Sequence, residues 1–421
     1  MTPPAIDTSE AHALALDAAD PLARFRSRFA LPPGAIYMLG NSLGPVTADA
    51  ESSVRRALDD WKRLGVDGWS HADPAWVGLG ESIGARAATL VGALPGEVVA
   101  TGTTTVNIHS ILSTFYRPSG SRDRILADEL NFPSDLYAIQ GHLSMRGLDP
   151  ADHLVLARSP DGLTLDEGRI VDLMTDDVAL VHLPSVLYRS GQLLDVERLA
   201  RAARDRGIPI SVDCCHSVGA VAHRLHDWGV DCAVWCSYKY LNAGPGSTAF
   251  LFVHDMHKGL APLLSGWFGF EKARQFDMLP VFEPEIGASG WQVSSPGILG
   301  AAALDGSLSI TLEAGIDAIR AKSLALTSYL MGLVDAAFPG PDAPVAMGTP
   351  RDPARRGGHV AIVAGPHARR TFDALRASGV AADFRPPDVI RIAPSALFNT
   401  FHEVWTVARR LRAAFDSLAV D

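Results

Sequence analysis

The chain has 421 residues, 47% of them hydrophobic and 20% charged, with a formal net charge of -10. That length exceeds one ordinary core and points to two domains, while the acidic balance argues against an extended nucleic-acid surface. The amino terminus shows no basic segment followed by an apolar core, and no apolar run is long enough to span a bilayer, so a cytoplasmic protein without membrane association is expected.

Residues 9–28 have helical composition broken at Pro21, and Pro32-Pro33-Gly34 forms a turn. Residues 36–39 read as an extended segment leading into Gly40-Asn41-Ser42-Leu43-Gly44-Pro45. There two glycines and an asparagine allow either tight backbone beside a ligand or an ordinary strand-to-helix turn. Residues 46–64 form an amphipathic helix, and 65–74 a loop whose Trp69 and His71 either pack or line a pocket. Helix resumes over 81–91. A short strand at 98–100 is followed by Thr101-Gly102-Thr103-Thr104-Thr105-Val106-Asn107, with a helix after it to about 115. Hydroxyls and free N–H groups at a helix start form an anion site or a plain cap, and no GxxxxGK[ST] signature is present.

Strands are expected at 124–127, 154–157 and 178–183, and helices at 135–146, 166–175 and 195–206. In Asn131-Phe132-Pro133-Ser134-Asp135, Phe132 offers a ring to stack on a flat ligand and Asp135 an acceptor; packing and capping are their plain alternatives. This strand–helix alternation fits a mostly parallel sheet covered on both faces.

Two apolar runs, 208–212 and 232–236, then end in Asp213 and in Ser237-Tyr238-Lys239, with His216 three residues after the aspartate. A turn at 242–246 and a third run at 249–253 follow. Parallel α/β sheets bind ligands at such strand ends. A lysine and an aspartate on successive strand ends suggest pyridoxal phosphate (PLP): an amine to hold its aldehyde as a Schiff base, and a carboxylate to keep its ring nitrogen protonated. The four cysteines, Cys214, Cys215, Cys232 and Cys236, fall in or beside these runs without zinc-knuckle spacing, so buried free thiols and no metal are expected.

Beyond 253 the pattern is irregular, with an aromatic loop at 265–270 and a segment at 287–300 containing Trp291, Ser294 and Ser295. Helices from 299 and over 314–337 lead to a surface connection at 340–357. Strand, helix, strand and helix at 359–364, 367–378, 389–393 and 402–418 make a smaller α+β domain. Arg391 sits inside an apolar strand, where it either points outward or binds a substrate carboxylate; Arg385 reads as solvated. The expected division is a 1–50 segment serving the small domain and the active-site edge, a large 51–300 domain and a small 301–421 domain.

Taken in order, Gly40-Asn41-Ser42-Leu43-Gly44, Asn131-Phe132-Pro133-Ser134-Asp135, Asp213…His216-Ser217, Cys236-Ser237-Tyr238-Lys239-Tyr240-Leu241-Asn242 and Ser265-Gly266-Trp267-Phe268-Gly269 resemble the kynureninase family, from about residue 17 to residue 418. The resemblance implies an α/β, PLP-dependent transferase-like fold of type I and a homodimer with shared active sites. It implies Lys239 as the Schiff-base amine, Asp213 at the pyridine nitrogen, His216 beside the cofactor, Phe132 stacked on its ring and Asp135 near its 3-hydroxyl. Thr104 and Thr105 match the phosphate positions, and Tyr238 the phosphate-contacting tyrosine proposed as acid/base. Trp267 and Ser294-Ser295 would come from the partner subunit, with Trp267 and Ser295 also touching the cofactor. Arg391 matches the residue that holds the substrate α-carboxylate, and Asn41, Trp69 and His71 complete the implied substrate site.

The implied reaction is PLP-dependent hydrolysis of L-kynurenine to anthranilate and L-alanine, with 3-hydroxy-L-kynurenine as a second candidate substrate. Trp69 falls near a position where vertebrate-like members carry His, and Ser295 where they carry Asn, which favours L-kynurenine. Pro184 stands where related chains offer a hydroxyl near PLP, for which Ser185 is the candidate substitute. The alternatives are a kynureninase-like enzyme for another β-acyl amino acid and a catalytically silent PLP-binding protein. A cysteine desulfurase is disfavoured because no late loop carries a cysteine.

Overall fold

The computed structural model describes residues 6–340 and 342–417; positions 341 and 418, within or at the edge of two expected segments, lie outside the described residues. Seven strands form the large sheet: β1 (Val98–Ala100), β2 (Arg124–Asp128), β3 (Leu154–Ala157), β4 (Val178–Pro184), β5 (Ile210–Asp213), β6 (Cys232–Trp235) and β7 (Phe250–Val253), in the spatial order β1-β7-β6-β5-β4-β2-β3. Strands β2 to β6 run parallel, and β7 runs antiparallel to both its neighbours. Side chains leave a strand on alternating faces, and both faces here are buried. Ile125 and Ala127 enter one core cluster and Leu126 the other; Val234 enters the first, Ala233 and Trp235 the second. That two-sided burial is why these strands read as continuous apolar runs. The Val196–Asp205 helix buries Val196, Leu199, Ala200 and Ala203 and turns its arginines outward, as its periodicity predicts.

The smaller sheet consists of β8 (Ala346–Met347), β9 (Val360–Val363), β10 (Asp383–Arg385) and β11 (Val389–Ile392), in the antiparallel order β8-β9-β11-β10. Its core draws on the Ile316–Ala337, Ala368–Ala377 and Phe401–Asp416 helices and takes in Ala13 and Met38 from the amino-terminal region. Ile36–Tyr37 pairs with Val380–Ala381, and Leu39 bridges to Ala393. A loop after β4 clasps the two sheets together. Leu193 N–H donates to Arg355 O at 2.9 Å and Gly357 N–H to Gly191 O at 2.8 Å. Arg189 reaches Pro386 O and Asp388, and Arg391 reaches Tyr188 O.

Four expectations need correction. The helix expected after Asn107 starts at Thr104. Threonine and asparagine are weak helix formers, but the Asn107 amide donates to Thr101 O and Phe250 O and ties the first turn to the sheet. The 65–74 loop contains short helical turns, because Trp69 and Trp76 pack edge to face over Gly68. The 340–357 connection carries β8 and is not all surface: Arg356 is buried and donates to Thr327 Oγ1 and Leu324 O of the neighbouring helix. Strand β10, missed from sequence, is held by its charges. Asp383 pairs across the sheet with Arg391 and within its strand with Arg385, which is therefore ion-paired and only partly exposed.

At the end of the sheet opposite the carboxyl ends of β5 and β6, Glu97 is buried and accepts from Leu94 N–H, Asp255 N–H and His226 Nδ1, the last at 2.8 Å. The His226 and His254 rings stack 4.7 Å apart. The ligand-type atoms of all three lie within 4.8 Å of one another, but each is already hydrogen-bonded, His254 Nδ1 by Met256 N–H. The bond to Glu97 holds the His226 pKa above the ordinary value, helped by the charges of Glu97, Asp227 and Asp255 against burial. A raised folded-state pKa stabilises fully below the unfolded value of about 6.5, and the gain fades as pH rises through the folded value. Histidine NMR is expected to place the His226 midpoint above that of the unfolded chain; a midpoint at or below it would contradict the clamp.

Candidate active site

Asp213 ends β5, and its Oδ1 accepts Cys215 N–H at 2.7 Å. Lys239 lies just past β6, and its Nζ is 3.0 Å from His216 Nε2. Asp135 is buried in the first turn of the Pro133–Met145 helix; burial, then the charges of Asp213 and Asp128, push its carboxyl well above the usual range. Phe132 precedes that helix, is 39% exposed, and its ring stands edge-on to Tyr188 at 5.4 Å. Thr104 and Thr105 open the Thr104–Phe115 helix, whose N-cap Thr103 makes no side-chain cap bond. Its first N–H groups therefore lack a side-chain acceptor from the cap and suit an anion. Thr104 Oγ1 is 3.7 Å from Cys215 Sγ. Tyr238 O accepts Gly44 N–H, and burial pushes the Tyr238 phenol up.

The Gly40–Gly44 turn thus lies against the lysine loop. A Cβ on Gly44 would sit 2.5 Å from Lys239 O, so only glycine fits. Asn41 within that turn is 1% exposed, yet neither amide atom has a partner. Arg391 is also 1% exposed, which excludes the outward reading; Asp383 holds its Nη2 at 2.6 Å and Tyr188 O its Nη1 at 2.5 Å. All four cysteines are buried and free. The Ser185 hydroxyl is 2.6 Å from Ser217 Oγ and donates to Asp213 O at 3.2 Å.

These residues fit PLP by their unmet bonds. An unpaired buried polar atom costs about 1–3 kcal/mol. His216 Nδ1, Asp135 Oδ2, both amide atoms of Asn41, Arg391 Nε and Tyr240 OH have none of the bonds they need. An amine, a carboxylate at a strand end, an exposed ring face and an uncapped helix start match an aldehyde, a ring nitrogen, a pyridine and a phosphate in turn.

Five other predicted residues lie apart. Trp69, His71, Trp267, Ser294 and Ser295 all line one cavity of about 540 Å³, with Phe268 and Phe276 as further aromatic walls. Trp267 Nε1 donates to Gln275 O and holds the loop. Among the described residues, no hydrogen bond, ion pair or ring contact joins this cavity to the Lys239 group. Sequence reasoning missed His359, Asp383, Tyr240 and Asp128. Asp383 was open to it as an acid two residues before Arg385 and eight before Arg391. His359 carries no local signal beyond opening an apolar run. Asp128 ends β2 with both carboxyl oxygens unpaired, and burial pushes it up to about 7.

The fold matches a cysteine desulfurase from Thermococcus onnurineus NA1 at a TM-score of 0.78 and 18% identity, covering 94% of this chain and 98% of that one. It matches C-DES, solved with glycine covalently linked to its PLP cofactor, at 0.79 and 16%, covering 92% and 98%. Fold and site together define a PLP-dependent enzyme of fold type I. A model of the kynureninase C-terminal domain matches residues 319–411. Kynureninase of Geobacillus thermodenitrificans is 49% identical over 412 residues, 98% of this chain and 96% of the relative, and that of Shouchella clausii is 48% identical over 401 residues, 95% and 93%. The chain belongs to the kynureninase family. No helix among the described residues is long and apolar enough to cross a membrane.

Proposed function

We propose that this enzyme hydrolyses L-kynurenine to anthranilate and L-alanine, on the strength of the Lys239–His216 contact beside Asp213, Asp135 and Arg391. When bound, PLP supplies the electron sink for charge left on the substrate's α- and β-carbons. Lys239 Nζ would hold the cofactor covalently and, as a free amine, would take the substrate's α-proton, with His216 Nε2 directing it. Asp213 would keep a proton on the ring nitrogen, Asp135 would serve the 3-hydroxyl, Phe132 would stack on the ring, and Thr104, Thr105 and Tyr238 would hold the phosphate. Arg391 takes the α-carboxylate, and Asn41 contributes from the glycine turn. Water supplies hydroxyl to the γ-carbonyl and a proton to the departing β-carbon, with Tyr238 as acid/base. The division into 1–50, 51–300 and 301–421, and a cytoplasmic location, belong to the same reading.

The aromatic cavity is the natural seat for the substrate's ring, contributed by the second subunit of a homodimer. Its separation from Lys239 within one chain supports this, as does the apolar surface around it: Phe276, Met278, Val281 and Ile286 are each at least two-thirds exposed. Mixing Lys239→Ala and Trp267→Ala variants is expected to restore activity to roughly a quarter of wild type, because half of randomly re-paired dimers carry one intact site of two. No recovery after exchange of subunits would contradict shared sites. Identifying the products from L-kynurenine and 3-hydroxy-L-kynurenine tests the reaction itself. The apolar cavity favours the former, and failure to form anthranilate from it would overturn the proposal. A desulfurase is disfavoured because the four cysteines are buried in or beside β5 and β6.

A further inference from the structure

His359 stands just before β9, is fully buried, and neither ring nitrogen meets a partner in good hydrogen-bond geometry; the backbone acceptor beside it, Tyr188 O, is already bound by Arg391 Nη1. Packing alone would be served better by phenylalanine, since each unmet polar atom costs about 1–3 kcal/mol. Its ring stands 6.0 Å from that of His216, edge to face at 61°, and His216 in turn holds Lys239. The chain is shaped to admit it: Gly191 has φ +77°, and a Cβ there would sit 2.8 Å from His359 O and 3.2 Å from Nε2. Burial, Arg391 and Lys239 keep the ring neutral, so it presents one N–H and one bare nitrogen. Arg391 has Nη1 engaged by Tyr188 O and Nη2 by Asp383, and its Nε has no partner. A carboxylate docking on that Nε needs a second donor, and His359, two residues before the Ala361 that pairs with Arg391, lies diagonal to it on the same face of the sheet.

We propose that His359 is a substrate-positioning residue whose ring N–H binds the α-carboxylate of the amino-acid substrate beside Arg391. This rests on Arg391 as the carboxylate site. His359→Phe, which keeps a ring and removes both nitrogens, is expected to raise KM for L-kynurenine about tenfold, one hydrogen bond's worth, with kcat changed by less than about threefold. His359→Gln, which keeps a donor, is expected to recover most of the loss. In the wild-type holoenzyme, the His359 ring ¹⁵N resonances are expected to shift on adding L-alanine and not on adding alaninamide. Equal shifts with both, no shift, or an unchanged KM in an active His359→Phe enzyme would overturn the role of His359 alone. Wild-type enzyme that fails to cleave L-kynurenine would instead overturn the reading beneath it.

Discussion

Lys239→Ala is expected to lower kcat for L-kynurenine by roughly 10³-fold or more, the upper range for losing a positioned base together with a covalent anchor. The purified variant is also expected to lack the visible absorbance of lysine-bound PLP, with circular dichroism unchanged. The reason is geometric. Lys239 is the amine at the carboxyl end of β6, and His216 fixes its Nζ at 3.0 Å. Arginine cannot substitute, because its guanidinium neither condenses with an aldehyde nor gives up a proton near neutral pH. Wild-type turnover in Lys239→Ala would remove this residue from the chemistry.

For Arg391→Ala, a drop in kcat/KM of roughly 10–10²-fold is expected, the equivalent of losing the one charge-assisted hydrogen bond that its free Nε can make. Stability falls as well. Breaking a buried ion pair costs about 3–5 kcal/mol when its partner is stranded; here Asp383 keeps Arg385 at 3.0 Å, so the lower end is expected. Arg391→Lys retains the charge without the fork and is expected to recover stability more than kcat/KM. The check is to compare L-kynurenine with its amide. Wild type should prefer the acid and Arg391→Ala should not; equal use of both by wild type would end the assignment.

Much of this was legible in the chain because the informative residues are local. Strand ends carrying Asp213 and Lys239 sit in apolar runs whose composition follows from burial on both faces, and the glycine turn at 40–44 announces its tight backbone. What was not legible depends on partners distant in sequence. The apolar run of β7 does not encode its antiparallel direction. Strand β10 is short and charged, and exists because Asp383 faces Arg391 across the sheet. Arg356 reads as a surface residue until the helix that buries it is in place. His359 became visible only as a ring without hydrogen bonds beside His216.

The clasp after β4 sets a limit on motion. Residues 188–193 belong by sequence to the large sheet but are bonded along their length to residues 355–357 and to the loop and strand that present Arg391. A rigid-body hinge between the two sheets would have to break that seam or carry it along. Arg391 is accordingly tied to the loop that follows β4, and amide protons of the seam should exchange with deuterium as slowly as those of the sheet interior.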